Sequence, residues 1–157
     1  METTTDPSTT DFFSTGVVIA EGEWAGWTTH PGSDAFEDHA GPFYHRMVDG
    51  EPVCAFRVVK KQLNGGNALH GGCFMTFADF SLFVIGRSAL SGQRAVTATF
   101  NCELVGAATE GQLVEARGEV IKDTRSMVFI RGTLTADGET IMSYSAALKK
   151  IRARNSN

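Results

Sequence analysis

A glycine-rich loop and the apolar run that follows it hold the two features of this sequence that could do chemistry. The first is His70-Gly71-Gly72 at the start of the run, and the second is Asp79 inside it. The first N–H groups of a helix have no intrahelical acceptor and lie at the positive end of the helix dipole, and glycine lets a ligand approach the backbone closely. This pattern indicates a site for an anion or an oxyanion.

Asp79 is an unusual residue for an apolar helix. A carboxylate there costs several kcal/mol unless it is paired, hydrogen-bonded or protonated, and acids held at that cost are often functional. The alternative is structural, because Asp79 could bond a backbone group or a nearby hydroxyl such as that of Thr76.

The spacing of the two features limits how they can cooperate. From position 70 to position 79 a helix rises about 13–14 Å and makes about two and a half turns, so His70 and Asp79 leave it on opposite faces. They cannot meet at one reacting atom within one chain. If both act on one substrate, we expect a two-fold dimer in which the helix start of one subunit faces the helix middle of the other.

Strand patterns surround this helix, which we place at about 73–86. Two runs flank the hairpin-type turn Asp49-Gly50, and four follow the helix, the last two separated by Asp137-Gly138. The predicted strands are 43–48, 52–61, 95–105, 112–122, 126–136 and 140–151. We therefore predict an α+β fold in which a meander of antiparallel strands forms a sheet that wraps one long central helix buried on all sides.

The strand at 95–105 alternates apolar and polar residues. Strict alternation places Thr97, Thr99, Asn101 and Glu103 on one face, with Ala98, Phe100, Cys102 and Leu104 on the other.

The length of 157 residues fits one domain. We predict a disordered lead at 1–11, one domain at 12–152 and a tail at 153–157. The segment 12–45 is the least defined: 17–27 contains a possible short strand, and 32–41 a possible helical turn capped by Ser33 or Asp34.

Composition excludes several classes of function. The formal net charge of −4 gives no basic field for nucleic acid or an anionic membrane. The apolar helix is shorter than the roughly 18–20 residues of a membrane span, and the N-terminus lacks a secretory signal. The three cysteines have no metal-ligand spacing, so we expect reduced thiols, no metal site and a cytoplasmic location.

The sequence carries an ordered set of residues: Asn64, then His70-Gly71-Gly72, then Asp79, and then Thr97 on the next strand. This pattern resembles the hotdog-fold acyl-CoA thioesterases of the PaaI (phenylacetate-pathway) and 4-hydroxybenzoyl-CoA type. The resemblance runs from about 42 to 150, and the segment 36–44 is similar to the upstream part of that subfamily. It implies hydrolysis of a medium-chain or aromatic acyl-CoA to the free acid and coenzyme A. It also implies a homodimer that often pairs into a dimer of dimers, with coenzyme A as part of the substrate and no other cofactor.

The resemblance assigns roles to these residues. The Gly71 N–H, helped by the Asn64 amide, would hold the thioester carbonyl oxygen. Asp79 of the facing subunit would act as general base on a water, or as the nucleophile, and Thr97 would orient that water. His70 would fix the loop or hydrogen-bond the departing sulfur. Some relatives have Glu in place of Asp79, and the shorter acid favours a water-mediated step.

Further residues could bind the substrate, each with an alternative role. We include in this set Gly72, Phe74 (acyl pocket or core), Asn101 (substrate or interface) and Arg125 (nucleotide end of coenzyme A). The basic residues near the C-terminus could contact its phosphates or be a solvated charge run. Trp24 and Trp27 are expected to cover the core rather than line an acyl pocket. His30, His39 and His45 lack metal spacing, and we predict surface or capping roles for them.

Two other functions are compatible with the same fold. A non-catalytic acyl-CoA-binding or sensing protein would bind the ligand without hydrolysis, and the full set of Asn64, Gly71, Asp79 and Thr97 argues against it. A hydratase or dehydratase usually needs a histidine close to the acid, and the predicted helix contains none beside Asp79.

Overall fold

The computed structural model describes residues 12–151. The predicted lead at 1–11 and tail at 153–157 lie outside the described residues. One eight-stranded antiparallel sheet contains every strand of the described chain. The strands are β1 (Val17–Val18), β2 (Thr28–Thr29), β3 (Tyr44–Val48), β4 (Glu51–Arg57), β5 (Ala95–Leu104), β6 (Leu113–Asp123), β7 (Met127–Ala136) and β8 (Glu139–Lys150). The helices are α1 (Ala35–Ala40), α2 (Gly71–Ile85) and α3 (Arg87–Leu90).

The predicted α+β class is confirmed, with α2 as the long helix packed against the sheet. Both predicted hairpin turns are present. Asp49 and Gly50 have φ of 52° and 82°, and Asp137 and Gly138 have 47° and 90°. Two successive residues with positive φ form a turn whose twist matches that of the flanking strands, which explains the Asp-Gly sequences.

The strand order differs from the predicted meander. The order is β1-β2-β3-β4-β6-β7-β8-β5, so β6, β7 and β8 form a meander, whereas β5 pairs with β8 and not with β6. After β5 the chain crosses the sheet, and the next strand, β6, pairs with β4. As a result β5 lies at the edge of the sheet, where its second row of backbone groups has no partner strand in the described chain.

A β-bulge in β5 changes which side chains share a face. Thr97 pairs with Leu148, and Thr99 pairs with the next residue, Ala147, so the register shifts between them. Paired residues point to the same side of a sheet. Thr97 therefore lies on the inner face with the buried Leu148, and the prediction that it shares a face with Thr99, Asn101 and Glu103 is wrong.

The main core lies between α2 and the inner face of the sheet. Four phenylalanines form its centre in edge-on and tilted contacts, namely Phe43, Phe56, Phe77 and Phe80. Large fully buried side chains from the strands complete it, including Ile130, Leu134, Met142 and Leu148. At the end of α2, a Cβ on Gly118 would lie 2.9 Å from Ile85 Cδ1, so this glycine allows the close approach of helix and sheet.

The segment before β3 covers the opposite face of the sheet. Trp27 packs with Val53 and Ala55 of β4, and Trp24 stacks on Tyr44 with ring centroids 4.1 Å apart. This small second core explains why four successive residues of β4, 53 to 56, are buried. The two tryptophans cover this part of the core, as predicted. No helix of the described chain has the length and apolar character needed to cross a membrane.

Candidate active site

Helix α2 is not buried on all sides, which corrects the sequence prediction. Gly72, Met75, Thr76, Asp79 and Phe83 are exposed or half-buried, whereas most of the remaining α2 side chains are buried. Their spacing of three, four and seven residues defines one face of a helix, which we call the open stripe of α2. Asp79 lies in the middle of this stripe, so it is not enclosed by the core.

The neighbour of Asp79 on the sheet is Thr97. The Thr97 hydroxyl donates a hydrogen bond to Asp79 Oδ1 at 2.6 Å. The bulge in β5 makes this contact possible, because it turns Thr97 to the inner face. At the other end of β5, a Cβ on Gly71 would lie 3.7 Å from Leu104 Cδ1. Strand β5 therefore follows α2 from the helix start to Asp79.

Asp79 opens onto a cavity of about 350 Å³. Burial raises the pKa of Asp79, the negative charge of Asp34 raises it further, and the hydrogen bond from Thr97 opposes both. A carboxylate with a raised pKa and a fixed hydroxyl neighbour is suited to accept a proton from a water molecule.

The loop before α2 exposes one backbone donor. His70 is the N-cap, and its Nδ1 accepts the Gly72 N–H at 2.9 Å, which leaves the ring proton on Nε2. The Gly71 N–H has no acceptor within residues 12–151. Gly71 is thus a free donor at the positive end of α2, whereas the Gly72 N–H is occupied by the cap.

Asn64 organises this loop. Its Oδ1 accepts the N–H groups of Gly66 at 2.8 Å and Ala68 at 3.2 Å. The side-chain amide Nδ2 is therefore directed away from these two bonds, and it makes no hydrogen bond within the described chain. Asn64 can still donate to a bound carbonyl oxygen.

The remaining predicted substrate-binding residues do not gather around Asp79. Phe74 is a core residue with 3% of its surface exposed, and it does not line the cavity. Asn101 pairs with Ser145 on the outer face of the sheet, opposite to Asp79. Arg125 is exposed in the turn between β6 and β7, beside the end of β8 and the start of β5.

Sequence reasoning missed two carboxylates that line the same cavity, Asp34 and Glu37. Asp34 is the N-cap of α1 and accepts the N–H groups of Phe36 and Glu37. Burial, with the negative charges of Asp34, Asp79 and Asp38, raises the pKa of Glu37 to about 8. The only signal in the sequence was the capped acidic turn at 32–41, which did not show that α1 packs on α2.

Two histidines predicted at the surface or at caps are buried. His30 and His45 are 7% and 9% exposed, and their Nε2 atoms lie 2.8 Å apart. Burial, with the nearby His30 and Arg87, lowers the pKa of His45 to about 4. Within the described chain, no group of three or more His, Cys, Asp and Glu side chains is placed to hold a metal ion.

Comparison with known proteins gives the class of this fold and site. The model of the thioesterase superfamily matches residues 66–143, a segment that contains Gly71, Asp79 and Thr97. The matched segment is just under half of the chain, so the chain is similar to the thioesterase superfamily over this segment, and it has the hotdog fold. No curated protein sequence matched the chain.

Solved structures with the same fold extend this comparison. A hypothetical thioesterase with coenzyme A from Streptococcus pneumoniae is 21% identical, with a TM-score of 0.62 over 72% of this chain and 91% of that one. A mutant of the phenylacetic acid degradation protein PaaI from Thermus thermophilus is 20% identical, with a TM-score of 0.65 over 75% and 100%. PaaI from Escherichia coli is 19% identical, with a TM-score of 0.65 over 76% of this chain and 86% of that one. At these identities the likeness establishes the fold.

Proposed function

We propose that this protein hydrolyses a medium-chain or aromatic acyl-CoA to the free acid and coenzyme A. The observation that carries the proposal is the half-buried Asp79 with its Thr97 hydrogen bond, in a chain similar to the thioesterase superfamily. The pneumococcal neighbour crystallised with coenzyme A supports coenzyme A as the carrier of the acyl group.

Asp79 and the start of α2 act on one substrate across a dimer. Gly71 and Asp79 of one chain are separated by about 12 Å along the helix. Edge strand β5 has Leu104 at the Gly71 end and Thr97 at the Asp79 end. If two copies pair their β5 strands antiparallel about a two-fold axis, the Gly71 end of each copy comes beside the Asp79 end of the other. The exposed Val96 and Leu104 would be covered by this pairing.

The reaction needs only the groups already described. Asp79 takes a proton from a water held by Thr97, and the water oxygen attacks the thioester carbonyl carbon. The Gly71 N–H and the Asn64 amide donate to the oxygen that becomes negative. When the C–S bond breaks, the proton held by Asp79 passes to the thiolate of coenzyme A. His70 fixes the loop, and its Nε2–H can donate to the departing sulfur.

Three further assignments complete the proposal. Gly72 shapes the approach to the helix start, and Arg125 contacts the nucleotide end of coenzyme A from its turn beside the start of β5. The homodimer pairs into a dimer of dimers in the cytoplasm.

Thiol release from a panel of acyl-CoA and aryl-CoA substrates tests the activity, with the oligomer mass measured by light scattering. We expect turnover of at least one neutral acyl-CoA by a dimer or tetramer. A folded oligomer that binds acyl-CoA without releasing thiol would favour the alternative, a non-catalytic acyl-CoA-binding protein.

Mixing two inactive variants tests the shared site. Gly71→Pro removes one N–H at the first helical position, where proline is tolerated, and the preceding His70 is already extended with ψ of 136°. Gly71→Ala is the control that keeps the N–H. Refolded together, Gly71→Pro and Asp79→Asn chains should regain about a quarter of wild-type activity, because half of the dimers are mixed and each has one intact site. No recovery in verified mixed dimers would contradict a site built from two subunits.

A further inference from the structure

The cavity beside Asp79 has an uneven distribution of charge. Asp34, Glu37 and Asp79 line it from the α1 and α2 side, and no lysine or arginine is among its lining residues in the described chain. The rest of the wall is apolar apart from Thr97, with Phe83 from α2 and Ala95 and Val96 from β5. A group that enters this cavity meets carboxyl groups on one side and hydrocarbon on the other.

Glu37 has no role in the chemistry described above. It lies outside the segment matched by the thioesterase superfamily, and its carboxyl makes no hydrogen bond within the described chain. It also lines a second cavity of about 130 Å³ with His30, Phe43 and Phe80. Glu37 thus lines both cavities, and the larger of them is the one onto which Asp79 opens.

We propose that Glu37 is a specificity-determining residue, which makes the site select uncharged acyl groups over acyl groups that end in a carboxylate. This inference rests on the proposed function. An acyl chain bound with its carbonyl beside Asp79 extends into the cavity, where a terminal carboxylate would lose its hydration and would face a growing negative charge as the pH rises through the Glu37 pKa of about 8. An uncharged alkyl or aryl group of the same length meets only the loss of water from apolar surface, which is favourable.

Substrate pairs of equal chain length isolate this effect. At pH 9, where Glu37 is ionised, we expect kcat/KM of the wild type to be about 10- to 100-fold higher for butyryl-CoA than for succinyl-CoA, and for hexanoyl-CoA than for adipoyl-CoA. Glu37→Lys should lower this ratio about 10-fold or more by improving the dicarboxylic substrates. Glu110→Lys, an exposed glutamate in the turn before β6, is the matched control and should leave the ratio unchanged.

Glu37→Gln gives a second readout if the lysine variant does not fold. Burial raises the pKa of Glu37 to about 8, so the wild-type ratio should rise between pH 7 and pH 9, whereas the Gln variant should show a clearly smaller rise. Because both substrates of a pair share the reacting thioester, the effect of Asp79 on proton transfer cancels in the ratio, and its charge in the cavity is common to the wild type and the Gln variant. The titratable groups around Glu37 are Asp34 and Asp38 beside it, Asp79 from α2, Cys54 from β4 and His30 across the smaller cavity.

The outcomes separate this inference from the proposed function. Equal hydrolysis of neutral and dicarboxylic substrates by the wild type, or a ratio unchanged in both Glu37 variants, would overturn the role of Glu37 and leave the thioesterase activity standing. Hydrolysis of no CoA thioester at all would overturn the proposed function and, with it, this inference.

Discussion

The pair Asp79–Thr97 and the pair His30–His45 are both withdrawn from solvent, and they differ in what they face. Asp79 and Thr97 are half-buried and open onto a cavity of about 350 Å³. His30 and His45 are buried, stacked on each other with ring centroids 5.1 Å apart, and His45 lies near Phe80. The first pair is open to a ligand, whereas the second is almost wholly enclosed by protein.

Burial disfavours the charged form in both pairs, so it raises the pKa of Asp79 and lowers that of His45. A shifted pKa therefore does not distinguish a reactive group from a structural one in this protein. The distinction comes from access: Asp79 opens onto a cavity, and the proposed dimer would bring the Gly71 N–H of a second copy to it. We expect substitutions in the first pair to change activity and substitutions in the second to change stability.

The largest effect should follow from Asp79→Asn, which keeps the shape and removes the base. We expect kcat/KM to fall about 30- to 1000-fold, equivalent to roughly 2–4 kcal/mol of transition-state stabilisation, with little change in the free energy of unfolding. Asp49→Asn, in the exposed hairpin turn, is the control. If Asp79→Asn keeps full activity, Asp79 has a structural role like that of His30 and His45, and the proposed difference between the two pairs is wrong.

Thr97→Val should lower kcat about 10- to 100-fold, because the hydroxyl that holds the water and bonds Asp79 is lost. That hydrogen bond lowers the pKa of Asp79, so its loss should shift the acid limb of the pH–rate profile to higher pH. Thr97→Ser should retain most of the activity. Thr99→Val, on the outer face beyond the bulge, is the positional control, and a larger effect there than at Thr97 would mean that the register is wrong.

The open and enclosed pairs also differ in how far the sequence could predict them. Helix α2 and its loop were predictable, because an apolar run after His70-Gly71-Gly72 has a strong local pattern. Only the resemblance to a family linked Thr97 with Asp79, and the structure shows a hydrogen bond between their side chains. The face of the sheet on which Thr97 lies was predicted wrongly, because the alternation of residue types does not show where a strand contains a bulge.

The enclosed pair and Glu37 depend on contacts between distant segments. His30 and His45 meet because β2 pairs with β3 at Thr28 and His45, and β2 is only two residues long. Glu37 reaches the cavity because α1 packs on α2. Neither contact follows from local periodicity or turn chemistry, so the segment 12–45 could be predicted only as separate short elements.

Substitution in the enclosed pair should cost stability. His45→Phe removes the buried hydrogen bond between the two Nε2 atoms, so we expect a loss of about 1–3 kcal/mol in the free energy of urea unfolding. The exposed His39→Phe is the control. The double variant His30→Phe/His45→Phe should lose less than the sum of the single variants, because each single variant already removes the hydrogen bond that the two rings share. An additive result would mean that the two rings do not interact.

The same pair should make stability depend on acid pH. The pKa of His45 is about 4 in the folded protein and about 6.5 when unfolded, so the unfolded state binds more protons between these values. Stability is therefore full above pH 6.5 and is lost as the pH falls towards 4. His45→Phe should remove this part of the pH dependence, which unfolding curves at pH 4.5 and 7 would measure at one protein concentration.

Substitution of Glu37 tests whether a residue of the open cavity can also affect stability. We expect the smallest change in the free energy of unfolding here, and a pH dependence opposite in sign to that of His45. Its pKa is about 8 in the folded protein against an ordinary value of 4.5, so its contribution is full below pH 4.5 and is lost as the pH rises through 8. Glu37→Gln stays neutral, so it should exceed the wild type by about 1–2 kcal/mol at pH 9 relative to pH 5, after screening by the solvent in the cavity. Urea unfolding of both proteins at the two pH values measures this difference, with Glu110→Gln as the exposed control. No difference would mean that Glu37 is already ionised in the fold, and the cavity would then carry its full negative charge at neutral pH.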